Sequence, residues 1–258
     1  MIRSLYTAAT GMNAQLLNMD VIANNLANVN TNGFKRSHAN FQDLFYQTTR
    51  TAGSASGQGS QVATGIQVGL GTRTASVDRI FTQGDFRNGG ELSMVIQGDG
   101  FFQIQLGSGQ VGYTRDGSFT KDAQGRLTTA EVFPVQPEIN LQGAEGVTVS
   151  QDGIVSGKVN NVVTRLGELT LARFANPAGM ESMGSNLFRE TTASGTATVS
   201  APGLNGMGSV RNGMVEMSNV KIVEEMVDMI TAQRAYEVSS KSIQASDEML
   251  QIANSLRR

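Results

Sequence analysis

Residues 2–26 read Ile-Arg-Ser-Leu-Tyr-Thr-Ala-Ala-Thr-Gly-Met-Asn-Ala-Gln-Leu-Leu-Asn-Met-Asp-Val-Ile-Ala-Asn-Asn-Leu. Ile2, Ala9, Leu16 and Ala23 recur every seven residues, and Leu5, Met12, Met19 and Leu26 keep the same rhythm three residues on. A sustained heptad of this kind is too narrow for an ordinary core helix and suits helix against helix. The other end of the chain repeats the pattern in Ile222, Met229, Tyr236, Ile243 and Leu250, with Met226 one turn beyond Ile222. Three residues after that line come Glu225, Ala232, Ser239, Ser246 and Ala253, small after the first turn, so a partner helix can approach closely. Polar Gln233, Ser240 and Asp247 on the other flank keep the seam narrow.

Glycine and proline set these ends apart from the middle. Of 30 Gly, only Gly11 and Gly33 precede residue 35 and none follows Gly213, and all four Pro (134, 137, 177, 202) are central. Since these residues punctuate turns, the ends read as helix and the centre as turn-rich β structure. The first helix is expected from about Ser4 to Asn28, stopped by Asn28-Val-Asn-Thr-Asn-Gly33. The last is expected to start near Ser218 or Asn219, either of which can cap it, and to run nearly to the C-terminus. Glu224, Glu225 and Asp228 at its start and Arg257 and Arg258 at its end suit the helix dipole.

Residues 47–72 are poor in large apolar side chains and read as an extended segment that orders only against neighbours. From residue 73 the chain is β. Phe101–Leu106 and Val111–Thr114 are strands, and Leu166–Phe174 alternates as a further one. Asp99, Asp116 and Asp152 precede Gly in hairpin-turn positions. The expected fold is α+β: terminal helices forming a coiled-coil-like inner domain (1–34 with 216–258), a connecting segment (35–72) and a central, mostly antiparallel β domain (73–215).

Composition excludes several function classes. A formal net charge of −2 gives no general attraction to nucleic acid. There is no Cys, so thiolate chemistry and disulfides are absent, and one His, His38, cannot make a multi-histidine metal site. No phosphate loop or nucleophile with a base stands out, and nothing singles out a carboxylate pair. No catalytic, cofactor-binding or metal residue is assigned, and no small-molecule substrate is expected. The N-terminus lacks the apolar core and cleavage site of a secretory signal. Met in a helical stripe is core or interface, and interface is favoured here. The candidate seam is Leu5, Met12, Leu16, Met19 and Leu26 with Ile222, Met226, Met229, Tyr236, Ile243 and Leu250. An ordinary helix pair covering the chain's own sheet remains an alternative use of both stripes.

Ala23-Asn-Asn-Leu-Ala-Asn-Val-Asn-Thr-Asn-Gly-Phe-Lys-Arg36 resembles the signature of bacterial flagellar rod and hook proteins, A-N-N-[LI]-A-N-x-x-T-x-G-[FY]-[KR]. The matching positions are Asn24, Asn25, Leu26, Ala27, Asn28, Thr31, Gly33 and Phe34. The resemblance continues through Gly98-Asp-Gly-Phe-Phe-Gln103, Tyr113-Thr-Arg-Asp-Gly-Ser-Phe119, Ala201-Pro-Gly-Leu-Asn-Gly206 and Gln233-Arg-Ala-Tyr-Glu237. It departs at Ala130-Glu-Val132, where the family usually has Gly. Length, the 47–72 segment and Pro-Gly-Leu-Asn-Gly look most like subunits of the distal rod.

The resemblance implies a helical homopolymer, a tube with the terminal helices inside and the β domain outside, that carries torque from motor to hook. It implies export without a cleaved signal through the flagellar apparatus. The partners it implies are other copies, proximal rod and hook proteins, and the surrounding peptidoglycan- and outer-membrane-ring proteins. A proximal rod or hook-type subunit, or a cell-wall-acting enzyme, are the alternatives.

Overall fold

A computed structural model describes residues 2–52, 55–57, 60–61, 63–107 and 109–255. The expected closing residues Arg257 and Arg258, and parts of the 47–72 segment, lie outside the described residues, as does the side chain of Ile2. The fold is α+β, with helices at both ends and antiparallel strands between.

Helix α1 spans Ile2–Ala27 and α2 spans Ile222–Ser255. Neither is long and apolar enough to cross a membrane. The first stops one residue before the expected Asn28, whose carbonyl accepts from Thr31 N at 3.1 Å. The second starts later than expected, because Ser218 and Asn219 are used elsewhere. Lys221 O accepts from Glu225 N at 3.1 Å and opens the helix. Ser218 Oγ accepts from Val220 N, a local turn that competes with capping. Asn219 donates to Ile80 O at 2.8 Å and accepts from Arg36 N at 2.7 Å.

The chain gathers into two compact units: 1–26, 37–78 and 221–258 in one, 27–36 and 79–220 in the other. In the first, Ser37–Asp43 pairs with Thr72–Arg79. Tyr46–Arg50 pairs antiparallel with Ile66–Gly69, so part of the segment expected to be extended folds back on itself. Such a two-stranded ribbon is marginal in water by itself.

In the second unit the central antiparallel sheet runs Glu181–Gly184, Leu187–Arg189, Val111–Thr114, Phe101–Gln105, Leu171–Arg173, Thr198–Ser200. Side chains alternate across a strand, so Phe101 and Phe102 face opposite ways. Phe102, Ile104 and Leu171 join one apolar cluster with Ile96, Leu141 and Leu169. Phe101, Tyr113, Ala172, Phe174 and Phe188 form another. A sheet buried on both faces explains why Phe101–Ile104 is continuously apolar or buried rather than alternating. The expected strand 166–174 is two strands, Val162–Glu168 and Leu171–Arg173, separated where buried Leu169 donates its N–H to Gly153 O.

The turn at Ala130–Val132 resolves the departure from the family pattern. Val132 lies at φ +66°, a region costly for a β-branched residue. Thr129 holds it there, accepting from Val132 N and donating to Phe133 O. Val132 is 61% exposed, so its side chain returns little packing energy. Val132→Gly should raise stability by about 0.5–1 kcal/mol in thermal unfolding, because the strain relieved outweighs the extra freedom glycine gives the unfolded chain.

Burial, followed by the Glu190 carboxylate 3.4 Å from its hydroxyl, pushes the Tyr113 phenol up to about 12. The folded state therefore holds this proton more tightly than the unfolded chain, whose phenol titrates near 10. The stability it contributes is complete below about pH 10 and lost as pH rises through 12. Tyr113→Phe should flatten the fall of stability across that window, measured by denaturant midpoints.

Candidate self-assembly site

The two helices meet along the small line. Ser4 Oγ lies 3.1 Å from Ser246 Oγ. A Cβ built on Gly11 would sit 3.6 Å from Ser239 Oγ. Asn25 Nδ2 donates to Glu225 Oε2 at 3.1 Å. Each step of seven up α1 is a step of seven, or a multiple of it, down α2. The pair is antiparallel with a heptad register, and the remaining rung sets Asn18 opposite Ala232. Glu225, Ala232 and Ser246 are the buried residues of α2, and Ala14, Ile22 and Asn25 those of α1. Apart from Glu225 the α2 residues on this line are small, so little apolar area is spent between the helices.

The large apolar lines flank this seam. Leu5, Met12, Met19 and Leu26 on α1 and Met229, Tyr236, Ile243 and Leu250 on α2 are half-buried. Leu16 is 45% exposed, Ile222 48% and Met226 50%. The structure thus sets all eleven expected residues on the helix pair, but on the flanks of the seam and outside it rather than in its middle. Sequence reasoning missed Glu225 and Asn25 as the buried polar rung. The signal was a carboxylate on a line otherwise of small residues.

Asn25 has the chemistry this position needs, since an amide both donates and accepts. Its Nδ2 also donates to Ser37 O, and its Oδ1 accepts from Ser37 N, both at 2.9 Å. One side chain thereby ties the end of α1 to the strand that follows and to α2. Thr31 Oγ1 donates to Asn28 Oδ1 at 3.1 Å, closing the exit turn, while Asn24 and Ala27 face solvent. Thr10 Oγ1 accepts from Thr72 N, where the 37–78 segment returns to α1.

In the second unit the rest of the motif converges on Glu216. Gly33 takes φ +68° and donates its N–H to Glu216 O at 2.8 Å. A Cβ there would lie 2.6 Å from Asp116 N, so only glycine fits. Phe34 is buried beneath the Arg79 guanidinium, 5.8 Å from its ring. Lys35 Nζ donates to Glu216 Oε1 at 2.6 Å and to Thr82 O at 2.8 Å. Arg115 Nη1 sits 3.5 Å from Glu216 Oε2, and Gly84 N donates to Oε1 at 2.9 Å. Burial, and secondarily Arg115, lower the Lys35 pKa, and Glu216 opposes them. Two buried cations therefore share one buried carboxylate.

Both carboxylate oxygens of Glu216 are thus engaged by the protein itself. Asp116 and Asp122 are likewise spent on turns, accepting from Ser118 N and from Gln124 N and Arg126 N. A cavity of about 210 Å³ lined by Thr114, Asp116, Glu131 and Asn186 is open and mixed in character. Among the described residues no group of three His, Asp or Glu could hold a metal.

Three family models match the chain: "Flagella basal body rod protein" over residues 5–35, "Flagellar hook protein FlgE/F/G D1 domain" over 95–157, and "Flagellar basal body rod FlgEFG protein C-terminal" over 211–256. The chain is 50% identical to the flagellar basal-body rod protein FlgG of Borreliella burgdorferi, over 100% of both chains. It is 47% identical to FlgG of Caulobacter vibrioides, over 99% of this chain and 100% of the relative. With FlgG of Bacillus subtilis it shares 39% identity over the full length of both.

The charge count at Glu216 makes a prediction that loss of one hydrogen bond would not. Lys35→Met leaves a neutral Arg115–Glu216 pair, whereas Glu216→Gln leaves two cations buried together. Breaking a buried pair costs about 3–5 kcal/mol. Glu216→Gln should fall in that range and Lys35→Met clearly below it, read by urea unfolding of each variant.

Proposed function

The chain belongs to the family of flagellar basal-body rod proteins FlgG, and on that premise we propose that it polymerises into the helical, tubular distal rod and carries torque from motor to hook. The observation that carries the assembly reading is the division of labour on the helices. The small line is spent within the chain, and the large apolar residues are left half or fully exposed. A hydrogen-bonded rung contributes about 0.5–1.5 kcal/mol. Completing the burial of each half-exposed Leu, Ile or Met contributes about 1 kcal/mol, and there are many such residues. Contacts between copies therefore offer more than the pairing inside one copy.

Identical subunits joined through unlike surfaces do not close into a dimer and grow as a helical polymer. The terminal helices form the inner, coiled-coil-like layer of that tube, and the β-rich unit lies outside. The 46–69 ribbon, with Phe45 88% and Tyr46 57% exposed, orders against adjacent subunits and stiffens the assembly. The partners are other copies, proximal rod proteins and the hook protein at the ends, the ring proteins around the rod, and the flagellar export apparatus that delivers the chain across the inner membrane without a cleaved signal. The rod then spans the periplasm. The role is structural, with no cofactor, and the motif at 23–36 serves it by fastening the two chain ends.

Leu26→Asp or Ile243→Asp should abolish polymer formation, followed by sedimentation and negative-stain electron microscopy. The near-ultraviolet signal of the β-rich unit should remain. Tubes forming at normal yield with either substitution would contradict the seam.

A further inference from the structure

Asparagine stands directly before glycine four times, at Asn32-Gly33, Asn88-Gly89, Asn205-Gly206 and Asn212-Gly213. This dipeptide carries a chemistry of its own. The glycine backbone nitrogen can attack the side-chain carbonyl carbon of the asparagine before it, because no Cβ obstructs the approach and the glycine backbone turns freely. The fold must leave two things open: a glycine N–H held by no acceptor, and a backbone free to bring the two groups together.

Three of the pairs lack the first. Gly33 N donates to Glu216 O at 2.8 Å, Gly89 N to Gly213 O at 2.9 Å, and Gly213 N to Ser93 O at 2.7 Å. Asn88 and Asn212 also close strands, paired with Met214 and Met94.

Asn205-Gly206 differs for a local reason. Met207 N donates to Leu204 O at 2.9 Å, and Asn205 and Gly206 between them take φ +52° and +74°. These are marks of a type I′ turn, whose closing bond uses neither central N–H. Among the described residues Gly206 N has no acceptor. Both residues are exposed, and the asparagine amide makes one exposed bond, Nδ2 to Ser200 Oγ at 3.2 Å. A turn with so few exposed bonds opens at low cost.

We propose that Asn205 is a site of self-modification that converts to aspartate and isoaspartate, with water as the co-reactant. Gly206 N loses its proton and bonds to Asn205 Cγ, while the Cγ–Nδ2 bond breaks and ammonia leaves. Water then adds to either carbonyl of the five-membered imide and breaks the C–N bond beside it. Opening at Cγ restores the main chain and gives aspartate. Opening at the main-chain carbonyl leaves the chain running through Cγ as isoaspartate. No electrons are transferred: one amide and one water give one carboxylate and one ammonium. The new anion forms close to a cation, since a Cβ built on Gly206 would lie 2.9 Å from Arg173 Nη1. Asp99 Oδ2 already stands 3.7 Å from Nη2 of the same guanidinium.

The full-length protein, held at physiological temperature and mildly alkaline pH, tests this by peptide mass mapping with enzymatic labelling of isoaspartate. The peptide holding Asn205 should gain acid forms at least about tenfold faster than those holding Asn32, Asn88 and Asn212, whose glycines must first leave their acceptors. In urea the four pairs should convert at similar rates, because the same dipeptide then meets no fold. Equal rates at all four sites in the folded protein, or faster conversion at another pair, would overturn the proposal. So would an Asn205 that keeps its amide over the time in which the unfolded chain converts, or the same ranking in urea as in the native state.

Discussion

Glu216 is 1% exposed, and a carboxylate at that depth costs several kcal/mol unless its lone pairs are answered. The answers come from far along the chain: Lys35, Gly84 and Arg115. This one requirement fixes the strand that leads toward α2 against the segment that leaves α1. Lys35 can supply the answer only because Gly33 turns in the left-handed region just before it. In the other unit Glu225 is buried as deeply nine residues later, and Asn25 Nδ2 answers its Oε2. The motif at 23–36 is therefore two polar fasteners, each needing a buried partner from the C-terminal part of the chain.

What the fasteners leave unspent matters as much. A pair of long helices joined by Ser, Gly, Ala and one amide–carboxylate rung buries little apolar area of its own. Helix stability in water comes chiefly from packing of an apolar face. Here that packing is incomplete within one chain, with Val223, Met226, Val227 and Ile252 at least half exposed. Association of copies would give such a pair order and apolar burial together.

Much of the fold was readable in the sequence. The heptad lines located both helices, the absence of Gly and Pro bounded them, and Gly98-Asp-Gly and Asp116-Gly marked turns the structure uses. The choice of buried line was harder to read. Size ranked Met229, Tyr236 and Ile243 above Ala232 and Ser239, whereas the line that meets α1 is the small one. Asn219 read as a cap because its preference is local; a long-range demand from Ile80 O and Arg36 N overrode it. The ribbon at 46–69 was hidden because its pairing rests on backbone bonds, which a polar, turn-rich composition does not announce. Val132 at positive φ was legible only as a place where the family pattern breaks.

The central claim is that the small line is used inside one chain and the outer apolar face between chains. Single cysteines at 223 and at 239 test it, with thiol labelling rates measured on the monomer and on the assembled tube. The account predicts that the thiol at 223 labels rapidly in the monomer and is protected on assembly, while that at 239 is slow in both states. A thiol at 223 that stays fully reactive in the tube, or one at 239 that is open in the monomer and protected only on assembly, would contradict it.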